Sequence, residues 1–89
     1  MRVTVRLFAR LREIVGAGEL ALEVDPPATI ATVWRALVEA YPGVEPYGKA
    51  MSVARNLEYA RLDTIVAEGD EIAFLPPVSG GEGTGIGVP

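Results

Sequence analysis

Between Ile30 and Tyr41 the apolar residues Ile30, Val33, Trp34, Leu37, Val38 and Tyr41 recur at i, i+3, i+4, i+7, i+8 and i+11. That spacing lays one apolar stripe down a three-turn helix. Thr29 stands ahead of it as an N-cap, and Pro42-Gly43 closes it. Trp34 lies in the centre of the stripe and reads as core, not as a binding platform. With a single long helix to cover, the rest of the fold has to be built from strands, and both flanks supply them.

On the N-terminal side, Val3, Val5 and Leu7 share one parity while Arg2, Thr4 and Arg6 share the other, as in a strand with one buried face. Phe8 falls on the arginine parity, where an aromatic is out of place. Ala9 to Val15 suits a short helix ended by Gly16 and Gly18. ELALEV (19–24) alternates again with Leu20, Leu22 and Val24 inward, forming a hairpin with the first strand; Asp25 to Ala28 then breaks it. On the C-terminal side, residues 43–50 read as a Pro- and Gly-bearing loop and MSVARN (51–56) as a strand with a turn beginning at Asn56. Tyr59 to Leu62 suits a very short strand. A turn at Glu68-Gly69-Asp70 leads into a last strand from Glu71 to about Leu75. The order strand, strand, helix, then two or three strands is α+β. A mixed sheet with one main helix on one face is the β-grasp arrangement of ubiquitin-like domains, and a right-handed crossover sets the last strand parallel to the first at the sheet's centre. The expected division is a β-grasp domain over 1–76 and a flexible glycine-rich tail over 77–89.

Composition narrows the chemistry. Without Cys there is no disulfide, thiolate nucleophile or zinc–thiolate site. Without His the usual general base near neutral pH is missing. Ser52 and Ser79 are the only serines, so no Ser-His-Asp arrangement can form. The 12 acidic residues are scattered, and a self-contained enzyme is not expected. A net charge of −4 argues against nucleic acid as a partner. The cluster Arg2, Arg6, Arg10 and Arg12 reads as a solvated face. No apolar run approaches the ~20 residues that cross a bilayer, so no membrane association is expected. Arginines at 2, 6 and 10 interrupt any signal-peptide stretch, giving a cytoplasmic location as the expectation.

LFARLREIVG near the start and VARNLEYARLDTIVAEGDEIAFLPPVSGG near the end, with the helix between them, resemble the small subunit of molybdopterin synthase, a member of the MoaD/ThiS group of ubiquitin-like sulfur carriers. The likeness spans residues 1–81, and the block GDEIAFLPPVSGG is its specific part. It implies that the reactive group is the carboxylate of Gly81, preceded by Gly80. An E1-like partner adenylates that carboxylate with ATP, sulfur from a sulfurtransferase replaces AMP, and the thiocarboxylate donates sulfur within a heterotetramer with the synthase large subunit. The chain itself binds no cofactor in this scheme. Glycines lacking Cβ suit passage through narrow channels in the partners, and Pro76-Pro77 stiffen the base of the tail.

Parity predicts a docking face as well. Phe8 points outward on the first strand; on the last, Ile72 and Phe74 point inward and Leu75 outward. If those strands are neighbours, Phe8 and Leu75 form an exposed apolar patch beside the root of the tail, which suggests protein binding. The resemblance adds Tyr59 to that patch and Pro76, Pro77, Val78 and Ser79 to the partner-binding stretch. One departure stands out: EGTGIGVP (82–89) follows the glycine pair, so the carboxyl of Gly81 is tied in a peptide bond to Glu82. Either a protease removes the extension, or the chain is a non-carrier relative that keeps the fold, or the extension is foreign to the natural protein. Other pathways served by carriers of this shape are tRNA thiolation and thiamin or cysteine synthesis, and a ubiquitin-like modifier or a β-grasp binding module are further alternatives.

Overall fold

The structure is a computed structural model that describes residues 1–77. The expected tail, with Val78, Ser79, Gly80 and Gly81, therefore lies outside the described residues apart from Pro77. Among the described residues, seven strands and two α-helices follow in order: β1 (Arg2–Leu7), α1 (Ala9–Val15), β2 (Glu19–Glu23), β3 (Ala28–Thr29), α2 (Ile30–Ala40), β4 (Ser52–Arg55), β5 (Glu58–Ala60), β6 (Ile65–Val66) and β7 (Glu71–Leu75). Five strands form one sheet in the order β2-β1-β7-β4-β5. Within it β1 and β7 run parallel and the remaining pairs antiparallel. The last strand lies at the centre beside the first, as the crossover rule requires.

Alternation decides which face is dry. Val3, Val5 and Leu7 of β1, Ile72 and Phe74 of β7 and Val53 of β4 are buried on the same side. There they meet Ile30, Val33 and Leu37 of α2 and Leu11 of α1. Each such side chain removed from water contributes about 1.5–3 kcal/mol of transfer free energy. Trp34 is half-buried and joins this core edge-on to Phe74, with ring centroids 5.1 Å apart. Leu20 and Leu22 are only half-buried because β2 is an edge strand. Val24 is buried just past it, where it exchanges backbone hydrogen bonds with Met1.

Caps end the helices where the residues dictate. Thr29 Oγ1 accepts from Thr32 N while Thr29 N donates to Thr32 Oγ1, a reciprocal cap at the start of α2. Gly16 at φ 85° closes α1 in the left-handed region, its N–H donating to Arg12 O. Arg2 pairs with Glu23, Arg6 with Glu71 and Arg10 with Glu13. These are ion pairs at or near the surface, contributing little to stability.

Three expectations need correcting. Residues 43–50 are not an irregular loop: Pro42–Gly48 wind into a 3₁₀ helix with Val44 buried beneath it. A Pro at its first position presets φ, and Gly48 lies so close to Trp34 that a Cβ there would stand 2.9 Å from Nε1. The short strand expected at Tyr59–Leu62 is Glu58–Ala60, since a two-residue turn at Asn56-Leu57 brings Glu58 opposite Arg55. Finally, Ala28 is not part of a simple break. With Thr29 it forms β3, which pairs with β6 in a separate two-stranded sheet; strands of two residues carry no readable period.

Candidate docking face

The sheet side opposite α2 is built from the other parity. Registers align Arg6 of β1 with Ala73 of β7, Ala73 with Ala54 of β4, and Ala54 with Tyr59 of β5. Two alanines thus occupy the middle of a cross-strand row whose ends are long side chains. Leu7 pairs with Phe74 as the last pair of that ladder, and the residues that follow them, Phe8 at the start of α1 and Leu75 at the end of β7, both line the same depression. The small residues make a floor and the large ones a rim. The result is a depression of about 310 Å³ lined by Arg6, Phe8, Ala54, Leu57, Tyr59, Glu71, Ala73 and Leu75.

Its rim is predominantly apolar and open to solvent. Phe8 is 39% exposed, Tyr59 83% and Leu57 88%. Such exposure on one connected surface is uncommon for a domain that works alone. The charges at the floor's edge satisfy one another: Arg6 Nη1 lies 2.8 Å from Glu71 Oε2, and the guanidinium stands 6.0 Å from the Phe8 ring centroid.

At the other end of the sheet the hairpin tip is tied down by Asp70. Its carboxylate accepts from Arg55 Nε at 2.6 Å, Ala67 N at 2.7 Å and Asn56 Nδ2 at 3.0 Å. Asn56 also receives Glu71 N on Oδ1 and donates its own N–H to Glu71 O. Burial pushes the Asp70 carboxyl up, but the hydrogen bonds from Arg55, Ala67 and Asn56 outweigh it and hold the carboxyl below its ordinary value.

Of the residues singled out from the sequence, Phe8, Tyr59 and Leu75 are brought together on this face. Pro76 and Pro77 continue from it, half-buried and exposed. Val78, Ser79, Gly80 and Gly81 lie outside the described residues. Leu57, Ala54 and Ala73 escaped sequence reading. Ala73 shares the parity of Leu75, yet without the strand register nothing announces that two alanines become neighbours. Leu57 sits in a turn, where an apolar residue has no periodicity to betray it. Among the described residues, no group of three or more acidic, His or Cys side chains could hold a metal, and no helix is long and apolar enough to cross a membrane.

A mixed five-stranded sheet with its final strand central, one long helix across one side and an apolar depression on the other defines a ubiquitin-like β-grasp protein. The ThiS family matches residues 5–81, and the chain belongs to it, as a member of the MoaD/ThiS sulfur-carrier type. Small archaeal modifier protein 1 of Haloferax volcanii is 40% identical over 84 residues, spanning 85% of this chain and 97% of that protein. The crystal structure of SAMP1 from that organism superposes with a TM-score of 0.82 at 38% identity, covering 91% of this chain and 100% of the other. The molybdopterin synthase sulfur carrier subunit of Arabidopsis thaliana is 36% identical over 81 residues, 91% of this chain and 84% of that one. A protein–protein complex of subunits 1 and 2 of molybdopterin-converting factor from Helicobacter pylori contains a similar chain, with a TM-score of 0.63 and 26% identity over 91% of this chain and 100% of that one.

Proposed function

We propose that this protein carries sulfur for molybdenum cofactor synthesis as the small subunit of molybdopterin synthase, with the sulfur held as a thiocarboxylate on Gly81 once residues 82–89 are removed. The observation that carries the reading is the conjunction of the apolar depression with a root, Leu75-Pro76-Pro77, that leads directly to Gly80-Gly81. A face beside a tail is what a partner needs in order to hold the domain while it works on the chain's end. The Arabidopsis and Helicobacter relatives, named for the same system, support the choice of pathway.

In this scheme an E1-like enzyme uses ATP. A carboxylate oxygen of Gly81 attacks the α-phosphate, pyrophosphate leaves, and a sulfurtransferase supplies the sulfur that displaces AMP. The large subunit of a heterotetramer then receives the thiocarboxylate. The Gly81 carboxylate is the one reacting group this chain contributes in the scheme; with neither His nor Cys in the sequence, the remaining bases and nucleophiles belong to the partners.

The test is covalent. A chain ending at Gly81 supports ATP–pyrophosphate exchange with the adenylating enzyme, whereas the 89-residue chain does not, because an amide carbonyl joined to Glu82 offers no carboxylate oxygen. Equal exchange from both forms in a protease-free assay rejects the proposal. Intact mass of protein from its native cell should show truncation after Gly81, with or without a 16-unit gain for sulfur replacing oxygen.

A second reading rests on the Haloferax relative, which is named a modifier. A ubiquitin-like modifier uses the same Gly81 carboxylate but leaves it in isopeptide bonds to lysines of other proteins. Adducts carrying the Gly81 remnant distinguish it from a sulfur carrier.

A further inference from the structure

Among the described residues, three non-glycine residues have positive φ: Ala9 at 52°, Asn56 at 51° and Leu57 at 72°. All three adjoin the docking face. Ala9 follows Phe8, turning the chain into α1 as Phe8 is left pointing outward; Asn56 and Leu57 are the two central residues of the β4–β5 turn. Two consecutive left-handed residues form the primed hairpin turn whose second position glycine normally fills. Asn tolerates that region; Leu is penalised by its Cβ. Leu57 is disfavoured again because its side chain is 88% exposed. Nothing in the fold accounts for a leucine there: it belongs to neither the core nor the strands. Five large apolar residues are exposed among the described residues, and the three that line the depression are Phe8, Leu57 and Tyr59, whereas Leu62 and Ile65 do not.

Register places Leu57 at the far end of the face from the tail. Arg55 pairs with Ile72 and Ser52 with Leu75, so the hairpin tip borders the start of β7 and the tail root its end. Those ends are four residues apart, about 13 Å at strand spacing. We propose that Leu57 is a docking anchor at the end of the face remote from the tail, kept at a strained turn position because a partner protein buries it. The inference rests on the carrier reading above and extends its footprint along the whole of β7. The occupant is a folded partner presenting an apolar surface. The face runs up to Pro76-Pro77 at the end of β7, so a partner that works on the chain beyond them lies over it, and the Arg6–Glu71 pair leaves the floor without an unmatched charge to recruit a charged one. Strain and exposed apolar area held together at one rim point to function before stability.

The experiment compares Leu57→Gly with the parent full-length chain. Glycine relieves the turn, so the thermal midpoint should hold or rise by about 2–5 °C. Affinity for the synthase large subunit, titrated calorimetrically, should fall about ten-fold or more, the loss expected for one buried leucine. Leu57→Asn, which also tolerates the left-handed region, should lose affinity similarly. Unchanged affinity in both variants overturns the inference, as does a fall in affinity that merely tracks a lowered midpoint. Leu75→Glu separates the two readings. If it abolishes docking while Leu57→Gly does not, the carrier interface stands and the far anchor fails. If Leu75→Glu docks normally, the interface at the tail root is itself wrong. Concentration-dependent self-association that Leu57→Gly removes would make the occupant a second copy and reject a separate partner.

Discussion

Asp70 is the only buried charged residue among the described residues, and its three donors come from two segments, Arg55-Asn56 at the end of β4 and Ala67 after β6. Removing its charge therefore loosens the β4–β5 turn and the turn before β7 together. Asp70→Asn should destabilise the fold by about 2 kcal/mol at neutral pH, lowering the thermal midpoint by roughly 8–16 °C. The pH dependence follows from the lowered carboxyl. A group held below its unfolded value, near 3.9 for Asp, stabilises the fold above that value and loses the contribution as pH falls through the lower folded one. Urea unfolding of both proteins should show a gap that is constant above about pH 5 and closes below about pH 4. A gap that persists in acid would mean that packing, not charge, is what Asp70 supplies.

At the scale of elements, α2 depends on a reciprocal cap in which Thr29 serves two structures, ending β3 and starting the helix. Thr29→Ala should cost about 1 kcal/mol, measured by chemical denaturation, with the core unchanged. This helix was fully legible: stripe, cap and stop are all local signals. So were β1, α1 and β7, whose alternation or glycine punctuation lies within a few residues. What escaped was set by partners distant in sequence. β3 and β6 are strands only because Ala28 faces Val66 and Thr29 faces Ile65. The 3₁₀ turn after α2 has a Pro at its start that looked like a loop signal, yet Val44 packs into the core and holds the segment in shape. The outer depression was half legible on the same grounds. Phe8 and Leu75 could be placed by parity, while the Ala54–Ala73 floor existed only once three strands had taken their registers.

For the whole molecule, the sheet divides the work between its two sides. One side, with Phe74, Ile72, Val5 and their neighbours against α2, holds the fold together; the other, with Phe8, Tyr59 and Leu75, meets solvent. Substitutions on the outer side should separate folding from docking. Leu75→Glu is expected to retain a cooperative melt within a few degrees of the parent, yet lose binding to both the large subunit and the adenylating enzyme by ten-fold or more. Unfolding of this variant would show that Leu75 belongs to the inner layer after all. The central pairing also has a consequence for the chain as it is made. Val5 pairs with Ile72, 67 positions later. At translation speeds of ~5–20 residues per second, β1 waits roughly 3–13 s for the strand beside it. A ribosome that stalls before β7 leaves β1 and β4 without the strand that joins them, so the core side and the outer side of the sheet are completed in one late step.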